Sequence, residues 1–345
     1  MVRRLLLIAI PLSWAGAALH APSVLVFVLA CLAVLPLAGY MGEATERLAD
    51  HSGPTLGGLL NATFGNAAEL LIALVALRAG LVDLVKASIT GSILGNLLLI
   101  LGLSLIAAGL RRPTFTFNRV TAGMSASMLG LAVVGLSFPA IFHSLHQNAA
   151  ASEVRMSELV SVVLGVTYLL SLLFSLRTHQ ALFGGGHRAE GPPQWTVRKS
   201  MLILGVATAG VAVESEILVH ATESVAATLG WTQTFLGLVV IPLIGNAAEH
   251  ATAIVVARKG QIDLALHVAL GSSTQVALFV TPVLVLASLL MGQPMDLVFP
   301  PFQVVSVALA TAIVAMIMLD GESHWFEGVQ LLAVYALVAV AGYFI

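Results

Sequence analysis

Charged side chains are scarce in this sequence. Of its 345 residues only 9% are Asp, Glu, Lys or Arg, whereas an ordinary soluble domain has about 25%. Hydrophobic residues account for 59%. A chain of this length with so few charges cannot cover its surface with polar groups, so the composition excludes a soluble globular protein and indicates an integral membrane protein.

Cysteine and excess positive charge are also lacking. The single cysteine, Cys31, excludes an internal disulfide and a multi-thiolate metal site. The formal net charge of -2 offers no basic surface, so we expect no nucleic-acid partner. The patterns His-Glu-x-x-His and Gly-x-Ser-x-Gly and a nucleotide-binding loop are missing as well. These absences argue against an intramembrane enzyme, the enzyme alternative, and against an ATP-driven pump.

Long apolar runs are what the sequence has in abundance. Each is about 20 residues long, the length that an α-helix needs to cross the hydrocarbon core. The hydropathy pattern predicts an all-α membrane protein with about eleven transmembrane helices. They are expected at about 4–20, 24–48, 56–79, 84–109, 118–140, 156–177, 199–228, 233–257, 263–291, 302–319 and 325–344.

The distribution of Lys and Arg predicts the orientation. With a cytoplasmic N-terminus, twelve of the fifteen basic residues fall on the inside and only Arg78, Lys86 and Arg155 fall outside. This asymmetry follows the positive-inside rule. We therefore expect an integral membrane protein of the bacterial inner membrane with its N-terminus in the cytoplasm.

One phrase occurs twice. Gly-Asn-Ala-Ala-Glu stands at 65–69 and again at 245–249, and the spacing of 180 residues persists beyond it, since Gly91-Ser92 matches Gly271-Ser272. The predicted helices carrying the two copies cross the membrane in opposite directions. The sequence therefore predicts inverted repeats, an architecture that places the substrate site of many secondary transporters at the repeat interface.

These patterns divide the chain into four parts. Residues 1–22 form an N-terminal transmembrane helix, although Arg3-Arg4 and the apolar stretch that follows also resemble a secretory signal peptide. Residues 23–178 form the first five-helix repeat and 196–345 the second. Between them, 179–195 has loop composition and is expected to be a cytoplasmic linker.

The duplicated phrase places polar oxygens inside the bilayer. Glu69 and Glu249 would supply negative charge and Asn66 and Asn246 neutral oxygens, because Asn and Glu three residues apart share one face of a helix. Intramembrane carboxylates are costly, and two in symmetric contexts favour function over structural hydrogen bonding. Hard cations such as Ca²⁺ prefer such oxygen ligands. The matching glycines, Gly65 and Gly245, would allow close helix approach or a local break that frees backbone carbonyls.

The chain resembles the cation/proton exchangers of the calcium/cation antiporter superfamily. The resemblance rests on the duplicated phrase, on Met41-Gly42-Glu43-Ala44-Thr45-Glu46, on Ser215-Glu216-Ile217-Leu218-Val219, and on the run from Gly271 to Phe279. It covers nearly the whole chain and implies ten core helices plus one N-terminal helix. It also implies exchange of Ca²⁺ for protons, with Glu69 and Glu249 as shared Ca²⁺ and H⁺ carboxylates.

A second group of residues surrounds the predicted site. His250 follows Glu249 where the first half has Leu70, and an ionisable group that breaks the symmetry suits proton coupling, although a lone histidine is often structural. The other candidates could complete the oxygen shell, line a vestibule, or simply make interhelical hydrogen bonds or face water. They are Ser92, Asn96, Ser272, Gln275, Glu43, Glu46, Glu216 and Glu223, with Glu214 and His267 as weaker candidates.

The leading hypothesis is a secondary transporter that exchanges Ca²⁺ for H⁺ by alternating access. Alternatives are a sodium/calcium exchanger and an antiporter for another divalent cation such as Mn²⁺. Sodium-coupled relatives typically place hydroxyl-bearing residues and a proline beside the acidic residue, whereas both copies here read Asn-Ala-Ala-Glu. We expect no cofactor and no enzymatic activity. The expected partners are Ca²⁺, H⁺ and the lipid bilayer, and a homo-oligomer is compatible with the sequence.

Overall fold

The computed structural model describes residues 2–110, 112–146, 150–179 and 195–345, and within them the protein is almost entirely helical. The α-helices are α1 Val2–Leu6, α2 Ala9–Ala18, α3 Ser23–Phe64, α4 Ala67–Arg78, α5 Val82–Leu94, α6 Leu101–Gly109, α7 Arg119–Leu145, α8 Ala150–Leu173, α9 Val197–Leu229, α10 Gln233–Phe235, α11 Ile241–Gly245, α12 Ala247–Arg258, α13 Ile262–Gln275, α14 Thr281–Leu290, α15 Pro301–Ile317 and α16 Trp325–Phe344. Among the described residues, π-helical turns lie at Gly95–Ile100, Phe174–Thr178, Leu236–Val240 and Val276–Val280. Strands β1 Phe115–Thr116 and β2 Glu322–Ser323 pair antiparallel.

Membrane-spanning segments dominate the fold. Among the described residues, seven helices are long and apolar enough to cross a bilayer, and the count is eight if the bent pair 233–245 and 247–258 forms one span. The prediction of an all-α membrane protein is therefore confirmed. The predicted number of eleven spans is not, because several apolar segments, among them α15, are shorter than a full crossing.

The predicted boundary between the spans at 24–48 and 56–79 coincides with a sharp turn of the chain. Helix α3 is helical over 42 residues, but a Cβ on Gly57 would lie 3.0 Å from the Ala49 carbonyl oxygen. Residues eight positions apart in a straight helix are about 12 Å apart along its axis, so α3 folds back within the polar stretch. A second interruption lies at Gly65 and Asn66, between α3 and α4. Of the predicted linker at 179–195, residues 180–194 lie outside the part of the chain that the structure describes.

The duplication is visible in the backbone. Helices α4 and α12 both contain 12 residues, both follow an asparagine and both end at an arginine. A glycine with positive φ comes two residues after each arginine, at +79° for Gly80 and +86° for Gly260, a conformation that favours glycine. The next helix in each half, α5 or α13, continues into a π-helical turn, which often marks a functional position.

The two halves interlock through their central helices. Helix α3 packs along α9, and α5 packs against the turn at Leu236–Val240. This second contact is so close that a Cβ on Gly91 would lie 2.7 Å from the Gly237 carbonyl oxygen. Small residues that permit such approach are typical of helix interfaces in membranes, where association depends on packing. The outer helices α8 and α16 leave most of their apolar side chains exposed, as lipid-facing helices do.

Candidate cation site

Two helix breaks form the centre of the molecule. At Asn66 the dihedral angles are φ -103° and ψ 29°, and at Asn246 they are φ -91° and ψ 4°, so both asparagines leave the helical conformation. The chain bends by 62° at the second break. The sequence prediction placed each asparagine within a helix beside its glutamate, whereas the structure places it at the break and the glutamate in the first turn that follows.

The first asparagine is held by the second half of the protein. The Ser272 hydroxyl donates to Asn66 Oδ1 at 2.9 Å, and Asn96 Nδ2 donates to the same hydroxyl at 3.0 Å. Both amides and the serine are buried. This hydrogen-bonded chain joins α13 to the first break and fixes the orientation of the Asn66 amide.

The second asparagine is held by a serine of the first half, but here the asparagine is the donor. Asn246 Nδ2 donates to the Ser92 hydroxyl at 3.2 Å and to the Pro242 carbonyl oxygen at 3.1 Å. Because both donor contacts use the nitrogen, the Asn246 Oδ1 atom is left for another partner. The structure therefore brings together Ser92, Asn96 and Ser272, three of the predicted surrounding residues, at the two breaks.

Each glycine of the duplicated phrase meets the opposite half. A Cβ on Gly245 would lie 3.2 Å from Glu69 Cγ, and a Cβ on Gly65 would lie 3.6 Å from Gln275 Nε2. The glycines thus let the two breaks approach each other across the repeat interface. As a result, the Glu69 and Glu249 carboxylates lie close enough to interact electrostatically.

A cavity of about 900 Å³ leads to this centre. Glu249 lies in its wall, whereas Glu69 borders a separate void of about 10 Å³ beside Ser92 and Pro242. The predicted residues that line the large cavity come from both halves. They are Gly65, Gly245, Glu249, Ser272, Gln275, Glu43, Glu46 and His267.

Several polar atoms at the breaks are buried and lack a hydrogen-bond partner among the described residues. They include Asn246 Oδ1, Glu249 Oε2, Asn66 Nδ2 and His250 Nε2. Buried polar atoms are nearly always satisfied, so oxygens left without a partner at such a position suit a bound cation. Among the described residues, no cluster of three His, Cys, Asp or Glu side chains could hold a metal ion. The candidate donor set is instead two carboxylates with neutral oxygens.

Two predicted vestibule residues lie elsewhere. Glu216 and Glu223 are exposed on α9, and Glu216 faces Arg78 at 3.8 Å. The buried acid of this helix is Glu214, which accepts a hydrogen bond of 2.8 Å from Ser13 on α2. The sequence did not indicate which of these acids is buried, because an apolar helix with partners on several sides gives little sign of which face is buried. His267, one of the weaker candidates, lines the large cavity.

The inverted breaks, the buried carboxylates and the cavity that reaches them define a membrane transporter for cations. The sodium/calcium exchanger protein family matches residues 22–177 and 199–344, and the chain belongs to this family.

Named relatives agree with this assignment. The chain is 46% identical over 355 residues to a Ca(2+)/H(+) antiporter of Aphanothece halophytica, covering 98% of this chain and 95% of the relative. It is 42% identical over 341 residues to the Ca(2+)/H(+) antiporter ChaA of Bacillus subtilis, covering 97% and 96%. A solved structure of native YfkE shares 38% identity and superposes with a TM-score of 0.88 over 100% of both chains.

Proposed function

We propose that this protein is a secondary antiporter that exchanges Ca²⁺ for H⁺ across a membrane by alternating access. The observation that carries the proposal is the pair of carboxylates, Glu69 and Glu249, each in the first turn after a symmetric helix break. The Ca(2+)/H(+) antiporters among its relatives support the choice of Ca²⁺ and H⁺ as the exchanged ions.

The breaks provide the oxygen ligands that Ca²⁺ prefers. Glu69 and Glu249 supply the charge, and Asn246 Oδ1 and Glu249 Oε2 are buried oxygens without another partner among the described residues. Asn66 takes part through the break it forms, with its side-chain oxygen held by Ser272. Gly65 and Gly245 let the two halves approach, and Ser92, Asn96 and Gln275 shape the surroundings.

The same carboxylates couple calcium to protons. Two ionised carboxylates in a site of low dielectric constant repel each other, and either Ca²⁺ or protons relieve that repulsion. Calcium and protons therefore exclude one another, while the empty charged site is too costly to reorient. This exclusion produces exchange rather than leak. His250 follows Glu249 on the buried side of α12, and we assign it a part in proton handling.

In this conformation, the large cavity makes the candidate cation site accessible from one side of the membrane. Its wall includes Arg47 and Ser175, and nearby the His51 ring and the Trp195 carbonyl oxygen lie 2.7 Å apart, so the cavity faces the side of the linker. The distribution of basic residues supports a cytoplasmic location for that side and for the N-terminus, in a bacterial inner membrane. The repeats 23–178 and 196–345 would then move against each other around the site.

The experiment uses inside-out vesicles from cells that produce the protein. In buffer without Na⁺, respiration acidifies the vesicle interior, and adding Ca²⁺ should dissipate that pH gradient because Ca²⁺ enters as protons leave. Vesicles with the Glu249→Gln variant provide the control and should keep their gradient. A strict requirement for Na⁺, or dissipation by the control variant, would contradict the proposal.

A further inference from the structure

The N-terminal segment places a positive charge on the cation pathway. Arg3 in α1 contacts Glu43 of α3, with Nη2 at 2.6 Å from Glu43 Oε2. The same guanidinium lies 3.5 Å from the centre of the Tyr40 ring, a cation–π contact. Its Nη1 atom is also 3.5 Å from the Gly39 carbonyl oxygen. Three contacts with one turn of α3 therefore hold this arginine in place.

This arginine lies beside the candidate cation site. Arg3, Glu43 and Glu249 line the same large cavity. A Cβ on Gly39 would lie 3.5 Å from Arg3 Cδ and 3.9 Å from the Cβ of Ala248, the residue before Glu249. The Arg3 side chain and the start of α12 therefore meet at Gly39, in the wall of the cavity that also includes Glu249.

The ion pair between Arg3 and Glu43 can break while the rest of the N-terminal segment stays in place. The side chains of Arg3 and Glu43 are 37% and 30% exposed, so the pair is partly hydrated and its net stabilisation is small. Helix α2 packs on both α3 and α9 and is fixed to α9 by the hydrogen bond from Ser13 to Glu214. The segment can therefore stay docked while the Arg3 side chain leaves Glu43.

The charges along the cavity wall determine how the loss of the contact between Arg3 and Glu43 would affect an arriving cation. Glu43 and Glu46 line the cavity together with Glu249, and Arg47, which also lines it, lies 3.7 Å from Asp50. With Arg3 in contact, Glu43 is neutralised and presents little attraction to an arriving cation. Without that contact, it adds a negative charge to a cavity whose low-dielectric walls focus the field.

We propose that Arg3 is a tethered cation that competes with the transported divalent cation for Glu43, and so lowers the affinity of the cavity for that cation. The inference rests on the proposed function, because it takes this cavity as the route to Glu69 and Glu249. Arg3 acts at the vestibule and is not itself a ligand of the bound ion.

The experiment measures Ca²⁺ binding to the purified full-length protein in detergent, where both faces are accessible. Arg3→Gln should lower the half-saturating Ca²⁺ concentration by about two- to fivefold, the range expected for loss of one partly exposed ion pair. Arg3→Lys, which keeps the charge, should stay closer to the unmodified protein. Arg4→Gln is the matched control, since Arg4 is the exposed neighbour on the same helix and changes the net charge equally.

The ionic strength supplies a second readout that a purely structural role would not produce. The difference between Arg3→Gln and the unmodified protein should be large at about 0.01 M salt and nearly vanish at about 1 M, because the Debye length falls from about 30 Å to about 3 Å. If Arg3→Gln does not fold, Glu43→Gln serves instead and should raise the half-saturating concentration. The maximal exchange rate of either variant should change less than this concentration.

The outcomes separate the two proposals. Equal affinity of Arg3→Gln and Arg4→Gln, or of Glu43→Gln and the unmodified protein, overturns the role of Arg3 while leaving Ca²⁺/H⁺ exchange intact. Absence of Ca²⁺ binding to the unmodified protein overturns the proposed function itself. A salt-independent effect of Arg3→Gln shows that the arginine acts through packing and also overturns the inference.

Discussion

Ser272 and Asn66 come from opposite halves of the chain, and the Ser272 hydroxyl donates a hydrogen bond of 2.9 Å to Asn66 Oδ1. The equivalent pair, Ser92 and Asn246, is joined at 3.2 Å. Each half therefore orients the asparagine at the helix break of the other half. The candidate site depends on both halves for its geometry.

These two hydrogen bonds should contribute to Ca²⁺ affinity to a similar degree. Ser272→Ala and Ser92→Ala each remove a hydrogen-bond partner from a buried amide, so we expect the half-saturating Ca²⁺ concentration to rise by about tenfold, corresponding to about 1.4 kcal/mol. Ser127→Ala is the control, because Ser127 is exposed and its hydroxyl donates to carbonyl oxygens of its own helix. Calcium titration of the purified variants tests this, and unchanged affinity for both serine variants would contradict it.

The paired carboxylates should be individually indispensable. Glu69→Gln and Glu249→Gln keep the side-chain shape but remove a charged ligand and a proton carrier, so the exchange rate should fall by at least about 100-fold, or about 3 kcal/mol. Glu223→Gln, on the exposed face of α9, should retain exchange. Initial rates of Ca²⁺-dependent proton movement in vesicles measure the effect, after immunoblotting has confirmed equal amounts of each protein.

Calcium affinity should depend on pH with a definite sign. Protonated carboxylates must release their protons before they bind Ca²⁺, so acidification on the binding side should weaken binding by up to about tenfold per pH unit for each proton released. Alkalinisation should strengthen it until the site is fully deprotonated. Calcium titrations between about pH 6 and about pH 8 test this expectation. A constant affinity across that range would indicate separate sites for calcium and protons.

The close contact between α5 and the turn at Leu236–Val240 should limit stability at Gly91 and not at its repeat counterpart, Gly271. Gly91→Ala would push a methyl group against the carbonyl oxygens of Gly237 and Leu238, and overpacking of this kind costs about 1–3 kcal/mol. Gly271→Ala is the matched control, since apart from the local backbone of its own helix no atom of the described residues lies within 4 Å of the added carbon. Thermal unfolding in detergent should show a lower midpoint for the first variant only.

The ion pair between Lys86 and Asp296 should contribute to stability. Lys86 Nζ lies 2.6 Å from Asp296 Oδ1 and 2.8 Å from the Val298 carbonyl oxygen, and its side chain is only 8% exposed. Lys86→Met should destabilise the protein by about 2 kcal/mol, less than for a fully buried pair because Asp296 is 29% exposed. Arg78→Met, which removes the largely exposed contact with Glu216, should have an effect below about 0.5 kcal/mol. Equal unfolding midpoints would show that the Lys86 pair adds nothing.

The sequence predicted the centre of the molecule well. The duplicated phrase identified Glu69, Glu249 and the asparagines, because charged and amide groups stand out in an apolar helix and their repetition at a fixed spacing indicates a duplicated site. It also identified Ser92 and Ser272, which the structure brings into contact with those asparagines. The roles of these residues in binding remain predictions.

Features that depend on the contacts between helices were harder to predict. The burial of Glu214 requires knowing that α2 packs against α9, and no periodic pattern in α9 reports that contact. The contact between Arg3 and Glu43 joins positions 40 residues apart. Neither Arg3-Arg4 nor the run from Met41 to Glu46 indicates in the sequence that the two segments meet. The polar stretch within α3 has the composition of a loop, and the chain does turn there, but the sequence did not show that the turn keeps helical backbone geometry.

The similar departures from helical geometry at Asn66 and Asn246 bear on the direction of the proposed transport. An ion at the site meets almost the same backbone geometry whichever half gives access to it, so the backbone alone imposes little rectification. The sign of net flux is then set by the calcium and proton gradients, and reversing them should reverse transport at a comparable speed. Any preference for one direction has to come from residues without a counterpart in the other half, and His250, which stands opposite Leu70 in the duplication, is such a residue.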